Sequence, residues 1–551
     1  MDYESLGLRP YGAVPNSRHM EWYRRGKTAF LHFTVNTFTD QEWGDGTESP
    51  EVFAPTALDC RQWVKVLKQA GFTAAILTAK HHDGFCLWPT ATTEHSVKHS
   101  PYGVDVVRLF TDACREEGMK AGLYLSPWDR NCPQWGTDAY NDFYAAQLTE
   151  LMTQYGPIWE CWWDGAGSDK SNYDWKRWAD IVRKNQPQCV IFGCLGAAEY
   201  SDVRWVGNEE GVSGSPCYAT ISTSSMQVQT IQELNHGIWG GGYFIPAEND
   251  TSIRPGWFYH ADQDSYVRTP ENLVEYWFQS AGRNSGILLN LPPDRRGLIH
   301  ENDAQAVIQW NAMMEEIFQE DLAPKATLTT SCNTFPGCGP ENLICPDEDT
   351  CYAPRENLGE VVLTFPEDTT FDCFRLEETI ELGHRVRGFS LDVKTETGWQ
   401  EIYHGQCIGF CWAERLRCVT TRAVRLRITD AAASPVLRRF RLYNTRGIGL
   451  EKAKNQGSAE YAALTIRRED NALVINLGGI YPYDQVDFSG QGDYQILAFN
   501  GTTYEPVWQG SQGPASFSTV TGSYQLKLIA REGTLPEEKT IRVGLKATAE
   551  E

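Results

Sequence analysis

Between Ala29 and Phe318, short apolar runs alternate with stretches whose apolar residues recur every three to four positions. Ala29–Val35 (AFLHFTV) is a strand-length apolar run. In Arg61–Gln69, Trp63, Val64 and Leu67 share one helical face, and Gly71 stands where a left-handed residue commonly ends a helix. Thr73–Ala79 reads as a second strand, Val104–Glu117 as a helix ended by Gly118, and Lys120–Ser126 as a third strand. Helix Ala145–Tyr155, strand Pro157–Trp163, helix Asp174–Asn185 and strand Cys189–Cys194 continue the alternation. Asp202–Val206 and Ile238–Ile245 are the expected strands six and seven. Helix Pro270–Ala281, strand Gly286–Leu291 and helix Glu301–Phe318 close the series. Eight strands, mostly separated by helices, predict an α/β fold with a parallel sheet closed as a (β/α)8-type barrel. The rival open sheet needs a Gly-rich phosphate loop after strand one, but strand one runs into Asn36-Thr37-Phe38.

After Ala323 the helical period fades. Alternating segments such as Glu360–Phe365, Phe389–Lys394 and Ala423–Ile428, separated by turn residues, predict β-sandwich structure. Leu473–Leu477, Tyr494–Phe499 and Thr540–Leu545 extend it. The expected organisation is a catalytic barrel over 1–323, a sandwich over 324–446, and a second β-rich region over 447–551. The pattern leaves open whether the last two are one sandwich or two. A chain of 551 residues exceeds what one core supports, which also calls for several domains.

The net charge of −23 argues against a nucleic-acid partner, because phosphate binding needs a basic face. No apolar run approaches the ~18–20 residues of a membrane span, so no membrane partner is expected. The 19 Trp, 24 Tyr and 23 Phe matter more, since aromatic rings cover the flat C–H faces of sugars, although large cores also use them. The 16 Cys form no CxxC pair, and Met1–Asn16 lacks a secretory pattern. Both features lead us to expect free thiols in a reducing, cytoplasmic setting. Cys332, Cys338, Cys345 and Cys351 cluster without zinc-like spacing and are expected to be thiols.

Barrel chemistry comes from the C-terminal ends of strands. Strand one supplies His32, and the loop beyond it Glu42, Trp43 and Asp45. Strand two ends in Lys80-His81-His82-Asp83. Strand three carries Tyr124 and strand four ends in Trp162-Trp163-Asp164-Gly165. Asn208-Glu209-Glu210 follows strand six, and Glu248-Asn249-Asp250 ends strand seven, with Arg254 and Trp257 just beyond. Two readings compete: a metal hydrolase built on the histidines, and a metal-free glycosidase with two carboxylates flanking the bond. Adjacent strand residues point to opposite sides, which disfavours His81 and His82 on one metal; we expect no metal or other cofactor. Asp164 invites a plainer reading as the N-cap of the next helix. Lys80 and Asp83 are expected to make structural bonds.

Here a resemblance enters. Trp22–His32 (WYRRGKTAFLH), Glu42-Trp43-Gly44, Thr78–Trp88 (TAKHHDGFCLW), Gly122–Asp129 (GLYLSPWD), Trp162–Gly165 (WWDG) and Ser285–Pro292 resemble glycoside hydrolase family 29, the retaining α-L-fucosidases. They arrive in the family's order and cover roughly residues 10–320. The resemblance implies a nucleophile at Asp164 and a fucose pocket at His32, Glu42, Trp43, His81, His82, Tyr124 and Trp162. Arg204–Gly211 (RWVGNEEG) resembles the α-1,3/1,4-specific branch, which implies an acid/base at Glu209; Glu210 and Glu248 are the alternatives. Arg254 and Trp257, in SIRPGWFY, resemble positions near the bound sugar. The implied partner is a fucosylated oligosaccharide. Rival readings are a glycosidase of other sugar specificity and a non-catalytic carbohydrate-binding protein. Ala423–Tyr443 resembles the closing strands of discoidin-like modules; we expect it to support the barrel rather than bind glycan. Oligomeric state is not legible in the chain.

Overall fold

In the computed structural model, the described residues are 2–167, 172–193, 198–223, 230–347, 349–449, 465–499 and 504–544. Eight parallel strands close a barrel: β1 Lys27–Leu31, β2 Phe72–Lys80, β3 Lys120–Leu125, β4 Glu160–Trp163, β5 Val190–Gly193, β6 Val203–Trp205, β7 Ala247–Ser252 and β8 Gly286–Asn290. The ring closes where β8 pairs β1, Lys27 opposite Ile287. Of the expected fifth strand, Cys194 lies outside the described residues.

Strand alternation sorts the side chains. Ala75, Leu77 and Ala79 of β2 face outward, into the core shared with the helices. Ala74 and Ile76 face inward, among Phe30, Tyr124, Trp162, Phe192 and Leu288. Helix Cys60–Gln69 buries Trp63, Val64 and Leu67, the face its spacing predicts, and Asp59 caps it by accepting from Arg61 and Gln62 N–H. Burying each of those side chains contributes ~1.5–3 kcal/mol. Gly71 follows at φ 72°, and a Cβ there would stand 2.3 Å from Asn311 Oδ1, so a larger residue would both strain the backbone and displace that amide.

The seventh strand departs from expectation. Ile238–Ile245 does not enter the barrel; within it, Tyr243–Phe244 pairs antiparallel with Thr220–Ile221 outside the ring. The barrel strand is the polar segment AENDTS, Ala247–Ser252, buried throughout. Apolar content misplaces it because this sector of the interior is polar, and most of its groups find partners that offset lost hydration. Glu248 accepts from Trp22 Nε1 at 3.0 Å and Trp162 Nε1 at 3.1 Å, and pairs with Arg25, which also pairs with Glu160.

Two antiparallel six-stranded sheets follow the last barrel helix, Glu301–Ile317. The first is ordered Thr327–Thr329, Gly359–Glu378, Trp412–Ala431, Val386–Thr395, Gly398–Gly405, with Leu437–Tyr443 also on Gly359–Glu378. Its core gathers Val361, Phe374, Trp412 and Phe440. The second runs from Thr465 to Gly544 around Leu473, Ile496, Leu528 and Val543. Among the described residues no strand of one sheet pairs with a strand of the other, and each sheet has its own buried cluster. Residues 450–464 and 545–551 lie outside the described residues. The first sheet docks on the barrel: Ala413 N–H donates to Gly282 O at 2.8 Å, and Leu322 N–H to Leu442 O at 2.8 Å. Among the described residues, no helix is long and apolar enough to cross a membrane.

Candidate active site

The C-terminal ends of β1 to β4 bring one cluster together. Asp164 directly follows β4. Its Oδ2 accepts from Tyr124 Oη at 3.0 Å and lies 3.6 Å from His82 Nε2; its Oδ1 accepts from Ala166 N–H at 2.7 Å. The residue is not the cap of the following helix; Asp174 holds that place, accepting from Arg177 N–H. The Asp164 side chain is 21% exposed while His82 is 1%, so an otherwise closed cluster opens at the carboxylate.

Below it the pocket floor is aromatic. Trp162 stacks on Phe192 at 4.0 Å between ring centroids and on Tyr124 at 5.4 Å, and its indole N–H is held by Glu248. His81 stacks on Tyr124 at 5.6 Å. His32 Nδ1 is 2.9 Å from Asn290 Oδ1, the last residue of β8, and His82 Nδ1 is 2.7 Å from Ser126 Oγ. Burial pulls the pKa of His32 and of His82 down to about 4 and that of His81 well below its ordinary value. Neutral imidazoles present one donor and one acceptor each, which suits uncharged hydroxyls.

One geometric expectation fails. His81 and His82 do not point apart: their rings lie 4.0 Å apart, and with Asp164 they offer ligand atoms all within 4.8 Å of one another. Strand alternation no longer applies, because β2 ends at Lys80 and the chain turns there. Lys80 itself pairs with Asp129 at 2.7 Å, and Asp83 accepts from Phe85 N–H at 2.7 Å; both are structural bonds.

The other wall comes from the loops after β1, β6 and β7. Trp43 is 52% exposed, edge-on to Trp128 at 5.3 Å. Glu209 stands at the mouth and accepts from Trp257 Nε1 at 3.1 Å. Loss of water around its carboxyl, then the charges of Asp164, Glu210 and Glu42, raise its pKa against that hydrogen bond. Glu210 is raised by burial and lowered by Arg268. Glu248 is fully buried with both oxygens engaged, which leaves no free face for proton delivery. Glu42 accepts from Trp257 N–H at 2.8 Å and Phe258 N–H at 3.2 Å. Arg254 has no exposed side-chain surface; it binds Asp303 at 2.8 Å and Asp264 at 2.9 Å, tying its loop to the last barrel helix.

Sequence reasoning misses several groups. Asn290 and Ser126 orient His32 and His82, yet an isolated Asn or Ser carries no signal. Asp250, which the sequence places at the end of strand seven without a role, is buried on β7, and burial, then Glu209, raises its pKa well above the carboxylate range. Its Oδ1 has no hydrogen-bond partner. His260, one residue past the quoted SIRPGWFY, faces Glu42.

A closed (β/α)8 barrel with two carboxyls and an aromatic, imidazole-lined floor at its C-terminal mouth defines a glycoside hydrolase. Residues 10–316 match the model of the alpha-L-fucosidase family, and the chain belongs to that family. It is 38% identical to Alpha-L-fucosidase 1 of Arabidopsis thaliana, over 79% of this chain and 88% of that one. A putative alpha-L-fucosidase from Bacteroides thetaiotaomicron has a similar structure, with TM-score 0.77 and 44% identity, covering 79% of this chain and 99% of that one. A Ruminococcus gnavus family 29 fucosidase solved with fucose matches at TM-score 0.73 and 28% identity, over 79% and 96%.

Proposed function

We propose that the protein releases terminal α-L-fucose from oligosaccharides or glycoconjugates by double displacement, with Asp164 as nucleophile and Glu209 as acid/base. The observation that carries this reading is the pairing at one barrel mouth. Asp164 is oriented by Tyr124 and the Ala166 N–H, and Glu209 has its pKa raised partly by the Asp164 charge. The fucose complex of the Ruminococcus gnavus relative supports the sugar.

Fucose enters with its C6 methyl against aromatic surface and its hydroxyls toward His32, His81 and His82. The Asp164 carboxylate attacks the anomeric carbon as the bond to the leaving oxygen breaks. Glu209 gives its proton to that oxygen, and a fucosyl ester forms. Glu209, now a carboxylate, takes a proton from water, which attacks the same carbon and frees Asp164. Retention follows; enzymes of this mechanism hold their two carboxyls about 5–5.5 Å apart. The wall residues Trp43 and Trp257 border the place where the leaving sugar sits.

Asp164→Asn lowers turnover by a factor on the order of thousands with little change in melting temperature. Azide added to Asp164→Gly yields a fucosyl azide of inverted anomeric configuration. Full activity in Asp164→Asn ends the proposal. The Asn208-Glu209 segment further leads us to propose α-1,3/1,4 over α-1,2 linkages. Lewis-type trisaccharides therefore release fucose faster than 2′-fucosyllactose, and the reverse order refutes the linkage assignment.

A further inference from the structure

A chain of polar contacts leads to Glu209 from two residues that the chemistry above does not use, His260 and Asp40. His260 Nδ1 lies 2.8 Å from Asp40 Oδ1, and its Nε2 lies 2.6 Å from Glu42 Oε1. The two Glu42 oxygens also accept the backbone N–H groups of Trp257 at 2.8 Å and Phe258 at 3.2 Å. Trp257 then donates through its indole to Glu209 at 3.1 Å. A continuous series thus runs from an imidazole at the rim to the proton donor. Gly256 lets it close: a Cβ there would stand 2.4 Å from Glu42 Oε1 and 3.1 Å from His260 Cδ2.

We propose that His260 is a positioning residue, which holds the Glu42 carboxylate on the Trp257–Phe258 backbone and thereby sets the orientation of the Glu209 carboxyl. The proposal rests on Glu209 being the proton donor. The reason is the concentration of acid at the rim. Asp40, Glu42 and Glu209 are brought together by two loops, and the Glu42 charge already acts on Glu209. An imidazolium between Asp40 and Glu42 makes charge-assisted bonds to both and neutralises part of that charge. Without it, Glu42 is drawn toward water and its grip on the Trp257 backbone competes with solvation.

The groups facing His260 are Asp40 and Glu42, with Arg295 approaching Asp40 at 3.5 Å. Burial works against the imidazolium, but the two acids outweigh it, so the pKa lies above the ordinary 6.5. The imidazolium therefore persists to higher pH than that of an ordinary histidine, and the clamp slackens as pH rises through that raised value.

A merely structural role would depress all substrates alike; misorienting an acid would not. An aryl fucoside needs little protonation of its leaving group, whereas a glycan leaving oxygen needs the proton. The test uses the full chain and measures kcat/KM on 4-nitrophenyl α-L-fucoside and on a fucosyl disaccharide that the parent protein cleaves. His260→Ala is expected to lose on the order of tenfold more on the disaccharide than on the aryl fucoside. His260→Gln, which retains a donor toward Glu42, recovers part of that difference. Gly256→Ala and the exposed-site variant Asp40→Asn reproduce the split with His260 in place. Equal losses on both substrates in all three disrupting variants, or no loss in any, overturn the proposal. Glu209→Ala measured alongside separates the premises. A split in Glu209→Ala but none in His260→Ala removes the clamp alone; no split in Glu209→Ala removes the acid assignment beneath it.

Discussion

Single side chains at the mouth differ in charge state because their surroundings differ. Glu209 is surrounded by acid and partly deprived of water, so it keeps its proton to a higher pH than an ordinary glutamate. Since the donor must be protonated, kcat/KM falls as pH rises through that value. Glu210 is one of the charges that raise it. Glu210→Gln is therefore expected to keep turnover and move the alkaline limb to lower pH, by less than about one unit. A limb that moves upward, or turnover that vanishes, would reassign the acid to Glu210. The histidines pose a second residue-scale question, because His81, His82 and Asp164 converge closely enough to hold an ion. The proposed mechanism needs none. Dialysis against a chelator should leave fucose release unchanged, and activity restored only by an added divalent metal would assign that trio a different role.

Among elements, β7 shows how a barrel strand can be polar and still stable. Glu248 gathers two indole N–H groups and Arg25, and Arg25 also faces Glu160, whose pKa burial and then Glu248 raise. One cation among two acids leaves little margin. Glu248→Ala removes one of the two acids that hold Arg25 and leaves both indole N–H groups without their acceptor, and is expected to cost ~3–5 kcal/mol, read as a lower melting temperature. If activity were lost with stability unchanged, Glu248 would belong to the chemistry instead. The loops after β1 and β7 meet through Glu42, so the wall that carries Trp257 is stapled to the loop that carries Trp43. The same inward bonding explains why Arg254 serves the scaffold: its charge is divided between Asp303 and Asp264.

At the scale of the molecule, the barrel and each of the two sheets have their own buried clusters among the described residues, and the first sheet is joined to the barrel by backbone bonds at Gly282 and Leu442. The net charge of −23 keeps molecules apart in solution at neutral pH, and this repulsion vanishes toward the pI near 5.0. Light scattering at low salt is expected to rise steeply as pH approaches 5 and to reverse on return to pH 7. Flat scattering across that range would show that charge does not govern its solubility.

The barrel and its strand ends were legible because burial imposes a period that the chain must spell out locally. Trp63, Val64 and Leu67, the placement of Asp164 after Trp162-Trp163, and the change to β pattern after Ala323 are all of this kind. Tertiary structure alone decided the rest. AENDTS became a strand only because Trp22, Trp162 and Arg25 converge on Glu248 from distant segments. His81 and His82 converged because the chain turns where β2 stops. Glu42 gripped backbone, and Asn290 and Ser126 oriented histidines, through contacts that no local period records. Hydrophobic burial is a property of each segment and can be read along it; the partner of a buried polar group is a property of the closed barrel, and exists only once distant strands have met.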